Sequence, residues 1–361
     1  MGELSRAAWI IGAAVMLRLA AFFTLGGSVP PYDPATYLEL AQGLLAGEGL
    51  VRHSPMFGEL HAAFPPLYPL LLAGAGGTLL SALFLNIALD ILAAIGLRRA
   101  SGGWLAPALM LFWPTLVLNA LIPQKEGLMI ALVAWAMVFA IERRAIALGI
   151  ACGLLMLTQP ALALLPVLLA VTHLDFRGVL QSGVAGLLAI APWIVRNFVL
   201  LGKIIPFTTS FPIALSVMAF GRHTQQSDEL LMMGEMQRLE EVQRLALDRL
   251  DPASYVELVV RNAFDALARD GRMASNFGLP EWPFTFAHLV MMAMLVAVAI
   301  AQRSRLAAIF FLTMVPMVFL EFGQRHRYFL FPLAALLIAG WLADRRGKTA
   351  ASPVLRESRG R

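Results

Sequence analysis

Charge is what this sequence has least of. Only 14% of its 361 residues are Asp, Glu, Lys or Arg, where a soluble domain carries about a quarter, so a water-soluble globule is excluded. Cysteine is nearly absent as well. The single Cys152 lies inside an apolar run, so no disulfide framework can hold an outer loop and packing must do so. Gly-rich phosphate loops, metal-finger spacings and internal repeats are missing, which removes nucleotide-cradling and zinc-finger functions from consideration. The net charge of +5 does not signal nucleic acid, because the basic residues are split among short gaps rather than gathered in one patch. Positive-inside placement around membrane spans explains them more simply.

What the chain does have is apolar length, with 59% hydrophobic residues. A helix needs roughly 20 mainly apolar residues to cross the hydrocarbon layer. Ten runs approach that size: 7–26, 78–97, 103–121, 125–141, 145–158, 160–173, 179–199, 284–301, 306–321 and 328–343. The fifth and sixth are short and divided at Gln159-Pro160, so they form either two spans or one re-entrant pair. Met1 to Gly27 reads as an uncleaved first span, since its apolar stretch is long for a signal peptide and Arg18 interrupts it. Arg18 cannot easily reach water and is expected to pair with another buried polar group, Asp90 in the second span being the candidate.

The expected fold is an all-α, polytopic transmembrane bundle with both termini cytoplasmic, in a membrane expected to be a bacterial plasma membrane. Arg6, Arg98, Arg99, Arg143, Arg144, Arg177, Arg303, Arg305, Arg345, Arg346 and Lys348 then face the cytoplasm. Residues 1–201 form an N-terminal membrane module with a first outer loop at 28–77, 202–283 an outer helical segment, and 284–361 a C-terminal membrane module and tail. All five tyrosines fall on the outer side, where they can sit at the interface or stack on a ligand. In the first outer loop, Asp33 and Pro34 suit an N-cap and first helical position, with Leu38, Ala41, Leu44 and Leu45 as the apolar stripe and Gly47 as the stop. Pro65 to Ala73 is apolar but too short to span, and so is expected to lie in the interface. Ser227 to Leu250 is a polar helical stretch, and Asp251-Pro252 restarts a helix to about Ala268.

Several of these stretches together resemble the integral-membrane glycosyltransferases of the GT-C superfamily, most nearly the protein-mannosyltransferase-like group, glycosyltransferase family 39 and its bacterial relatives. Pro31-Tyr32-Asp33-Pro34 through Leu50 is similar to the family's first outer loop, and Pro65 to Ala73 to its Pro-Pro-Leu-Tyr helix. Gln124-Lys125-Glu126-Gly127-Leu128 resembles its charged start of the fourth span. Leu157-Thr158-Gln159-Pro160 is similar to its Leu-Thr-Arg-Pro, with Gln in place of Arg. Pro192-Trp193 with Arg196-Asn197, and Arg325-His326-Arg327-Tyr328, match two further signatures in the expected order. The resemblance implies a polyprenyl-phosphate-linked sugar as donor and transfer on the outer face. It does not identify the acceptor, which is a lipid, a glycan or a protein.

Displacement at an anomeric carbon with lipid phosphate leaving needs one base and several cations, because phosphate is already a good leaving group. Asp33 is the candidate base, although Asp before Pro is also a good helix cap. Lys125 stands at an outer helix start where the dipole disfavours it, which invites a phosphate-binding role with Glu126 orienting it. Arg196 is equally suited to a carboxylate or to phosphate. Arg325 and Arg327, with His326, form the densest positive group on the outer side and match phosphate oxygens bidentately. Tyr32, Tyr37, Glu59, His61, His326 and Tyr328 are candidate polar contacts. Glu59 and His61, with His53 nearby, fit no standard zinc pattern, so a divalent metal is the lesser reading and no cofactor is required. The alternatives from other classes are a flippase or transporter of lipid-linked sugars, for which Gln159-Pro160 is the one hint of a broken helix, and a non-catalytic scaffold subunit of the same fold.

Overall fold

The computed structural model describes residues 2–31, 33–54, 57–210, 212, 233–249, 252–268, 272–302, 304–320 and 328–345. Tyr32, Arg325, His326 and Arg327 lie outside the described residues, as do Arg303, Arg346, Lys348 and the first part of the Ser227–Leu250 stretch.

The chain is mainly helical. In order it forms α1 (Glu3–Leu25), α2 (Asp33–Ala46), a hairpin of β1 (Arg52–Ser54) and β2 (Gly58–Leu60), α3 (Leu67–Gly74), α4 (Leu79–Ser101), α5 (Leu105–Leu111) and α6 (Pro114–Asn119). There follow α7 (Glu126–Ile141), α8 (Ala145–Met156), a 3-10 turn (Pro160–Leu162), α9 (Leu164–His173) and α10 (Phe176–Leu201). The remainder is α11 (Glu235–Arg249), α12 (Pro252–Ala268), α13 (Arg272–Ser275), α14 (Trp282–Gln302), α15 (Arg305–Leu320) and α16 (Leu330–Arg345).

Four described helices are long and apolar enough to cross a membrane: α1, α4, α10 and α14. The ten expected spans do not appear as ten full-length helices. The run 103–121 is broken, because Pro114 lacks an N–H and forces Trp113 into extended backbone (φ −67°, ψ 123°). α5 ends before it and α6 begins with Pro114. α8 and α9, at 12 and 10 residues, reach only about 18 and 15 Å, short of the roughly 30 Å hydrocarbon layer. Gln159 between them is extended at φ −145°, which divides the pair where the sequence suggested. α7 and α16 are buried almost throughout, so protein rather than lipid surrounds these two apolar helices.

Ion pairs join the helix ends that charge alternation places on one side. Arg98 at the end of α4 pairs with Glu3 at the start of α1. Arg99 forks onto Glu142, just past α7, with Nε and Nη2 at 2.5 and 2.9 Å. The opposite ends of α4, α7 and α10 meet the 28–77 loop. Within the bundle, α8 and α10 cross with backbones nearly touching: a Cβ on Gly153 would lie 2.7 Å from the carbonyl oxygen of Gly186.

The 28–77 loop departs from expectation in three ways. α2 begins at Asp33 itself and buries Pro34, Thr36, Tyr37, Leu40 and Ala41, whereas Leu45 from the expected stripe is exposed. The buried face follows Tyr37, whose large ring needs the core more than Leu45 does. A hairpin, unexpected from the sequence, pairs Arg52 with Leu60, His53 with Glu59 and Ser54 with Gly58. Tyr37, Tyr68 and Tyr328 are core residues, each at most 1% exposed, and not interfacial ones.

Candidate functional site

Asp33 occupies the first turn of α2 and is half-buried. Tyr37 follows it by four residues, so the two side chains share one face about 6 Å apart along the axis. The Tyr37 ring meets Tyr68 edge-on at 5.4 Å and Phe64 at 6.2 Å. Tyr68, on α3, donates its hydroxyl to Oδ1 of Asn86 at 3.1 Å. Asn86, on α4, in turn donates to the carbonyls of Ala120 and Ile122 at 3.2 and 2.8 Å. The backbone of Gln124 also bonds the Tyr68 hydroxyl, and the charge of Glu126 acts on it. Burial drives the acidity of this phenol well below normal, pushing its pKa up, so it stays a donor at any physiological pH.

Lys125 and Glu126, at the start of α7, are both buried, with exposures of 8% and 2%. Sequence reasoning placed them at an outer helix start. The turn before α7 is instead pinned beneath α3 by Tyr68 and Asn86, which takes both charges out of bulk water. Tyr37 and Tyr68 thus link the helix that begins with Asp33 to the Gln124–Glu126 turn.

Arg196 lies in a second cluster. Its Nη1 donates to the carbonyl of His61 at 2.6 Å and to Oδ1 of Asn197 at 2.9 Å, and its Nη2 to the carbonyl of Leu50 at 3.2 Å. The guanidinium also stacks over Trp193 at 4.8 Å. Asn197 and Trp193 hold the exit of α10 by donating to the carbonyls of Ile205 and Phe207. Arg196 thus fastens the first outer loop to α10.

His61 and Glu59 do not act together. Glu59 faces His53 across the hairpin at 3.7 Å. His61 instead offers its backbone N–H and its ring Nδ1 to Oε2 of Glu235, each at 3.0 Å. No group of three or more metal-ligating side chains forms among the described residues. Tyr328 packs its ring 5.3 Å from Phe331 just before α16.

Sequence reasoning missed Glu235 and Arg238 of α11. Arg238 is buried and donates to the carbonyl of Phe57, while Leu239 and Val242 pack on Phe57, Leu60 and Ala63. Glu240 pairs with Lys203. Helix α11 is thereby docked on the hairpin by alternating apolar and polar contacts. Its one sequence signal was an amphipathic pattern, Glu235, Leu239 and Val242 falling on one face.

No family model and no curated protein sequence matches this chain. Among solved structures, the archaeal oligosaccharyltransferase AglB from Archaeoglobus fulgidus, in complex with an inhibitory peptide and a dolichol-phosphate, aligns with a TM-score of 0.56 at 12% identity. The alignment covers 100% of this chain and 53% of AglB, so the chain spans about half the length of that protein. ArnT from Cupriavidus metallidurans, bound to undecaprenyl phosphate, aligns at 14% identity over 99% of this chain and 85% of ArnT, with a TM-score of 0.43. The likeness to AglB is one of fold. At 12% identity it does not reach the resemblance to glycosyltransferase family 39.

Proposed function

We propose that this chain is a membrane glycosyltransferase that moves a sugar from a polyprenyl-phosphate-linked donor to an acceptor hydroxyl on the outer face, with Asp33 as general base. The observation that carries the proposal is the placement of Asp33. It is a half-buried carboxylate one turn from Tyr37, whose ring meets Tyr68. A base must meet a hydroxyl while a cation meets the departing phosphate. Asp33 and Lys125 are suited to those two tasks. Arg325 and Arg327 would add phosphate contacts, with Arg196 keeping the loop in place and lending positive charge. The fold shared with AglB, which was solved with a dolichol-phosphate, supports a lipid phosphate as the donor's carrier.

Glu126 beside Lys125 would orient the ammonium and keep it from being a lone buried charge. The side of the membrane follows from the charge pattern. The ends tied by Glu3–Arg98 and Arg99–Glu142 would face the cytoplasm, and the 28–77 loop the outside.

Consumption of donor lipid by purified protein tests the base. Asp33→Asn should lower transfer by about 10²–10⁴-fold at unchanged folding and donor affinity. A parental rate in that variant would exclude Asp33 as base and favour transport of the lipid-linked sugar, which needs no base.

A further inference from the structure

Glu235 is a buried acid that the proposed transfer chemistry does not use. It lies in the first turn of α11 with 9% exposure, and its side chain is only 5% exposed. Oε2 accepts both the backbone N–H and the Nδ1 of His61. Oε1 has no hydrogen-bond partner among the described residues. A buried carboxylate oxygen left without a donor is costly, and in native structures such an orphan calls for an explanation, an ordered water or a bound group among them.

The surroundings select the chemistry of that group. Arg196 stands close enough for its charge to interact with Glu235, and it is fixed there by its bond to the His61 carbonyl. His61 occupies the other carboxylate oxygen. An incoming cation would meet the guanidinium, and an incoming anion would meet the carboxylate. A neutral donor meets neither penalty, and a hydroxyl is such a donor. The cluster joins the first outer loop, the exit of α10 and the start of α11, at the end of the bundle that holds Asp33.

We infer that Oε1 of Glu235 accepts a hydrogen bond from a hydroxyl of the transferred sugar. This rests on the proposed donor. The sugar is the part of that ligand which brings several neutral hydroxyls, whatever the acceptor.

The test uses the full chain in lipid nanodiscs and measures its affinity for undecaprenyl phosphate bare and carrying mannose, glucose or galactose. The parent should bind at least one sugar-bearing lipid more tightly than the bare one. Glu235→Ala should lose about tenfold of that preference and keep its affinity for the bare lipid. Glu235→Gln, which retains an uncharged acceptor oxygen, should lose less. His61→Ala should keep the preference, since it removes only the ring contact to Oε2 and leaves the backbone N–H bond and Oε1 in place. An unchanged preference in Glu235→Ala, or an equal loss in His61→Ala, would overturn the inference by making Glu235 inert or merely a fastener. So would a parent without any sugar preference. A parent that binds no undecaprenyl phosphate at all would overturn the transferase proposal itself, and this one with it.

Discussion

Arg18 and Asp90 form a fully buried ion pair: Nε and Nη2 of Arg18 each lie 2.8 Å from Oδ2 of Asp90. Nη1 donates to the carbonyls of Leu111 and Ala14, so one side chain joins α1, α4 and α5. Removing one partner strands the other charge in an apolar interior, which costs about 3–5 kcal/mol, whereas replacing both with apolar residues is often close to neutral. Asp90→Ala should therefore lower the melting temperature in detergent sharply. Arg18→Leu combined with Asp90→Leu should recover most of the loss. A double variant as unstable as the single one would mean that the two carbonyl bonds, and not the ion pair, hold these helices together.

The crossing of α8 and α10 depends on the absence of side chains. A Cβ on Gly153 would sit 2.7 Å from the Gly186 carbonyl oxygen and 2.8 Å from Cβ of Ala189. Backbone cannot move aside as a flexible side chain can, so Gly153→Val should destabilise by about 1–3 kcal/mol. Gly183 lies on the same helix α10 with nothing within 4 Å of its would-be Cβ. Gly183→Ala should be neutral or stabilising by up to about 1 kcal/mol, through its better helix propensity. Thermal unfolding of the two variants side by side separates close packing from propensity.

Tyr68 offers a test of the link between α2 and the turn before α7. Tyr68→Phe removes the bond to Asn86 and leaves Oδ1 of a buried amide without that donor, at a cost of about 1–3 kcal/mol. Asn86 also holds the Ala120–Ile122 turn that leads into Lys125 and Glu126. The variant should therefore bind donor lipid more weakly as well as melt earlier. Loss of stability with donor affinity intact would confine Tyr68 to a packing role.

The long helices were legible because an apolar run of that length, ended by charge, has few other fates. The Arg18–Asp90 pair was legible for a related reason: a lone charge inside a span must find an opposite one, and few were on offer. The break at Trp113-Pro114 was written in the proline but hidden by an uninterrupted apolar run. The hairpin was hidden because three-residue strands around Pro55 carry almost no alternation. Glu235 was the least legible of all. Its meaning comes from His61, which is 174 residues away in the chain, and no local pattern distinguishes it from the other acids at helix starts. Asp33, by contrast, was found as an isolated acid beside Pro34, and its burial and its alignment with Tyr37 required the fold.

Arg196 separates two ways of using a cation. Three of its five N–H groups are committed to Leu50, His61 and Asn197, and its plane rests on Trp193. Lysine keeps the charge but has neither the fork nor the plane. If the charge were what matters, Arg196→Lys would leave donor binding near parental, and only Arg196→Ala would weaken it. Fastening the loop requires both carbonyl contacts at once, which a single ammonium on a flexible stem cannot reproduce. Arg196→Lys should then resemble Arg196→Ala, with melting lowered by about 1–3 kcal/mol of stability and faster proteolysis within the 28–77 loop. Limited proteolysis of the purified protein, read beside its affinity for undecaprenyl phosphate, measures both effects in the same samples. The geometry favours the second outcome, because both Nη groups already bond the loop carbonyls of His61 and Leu50.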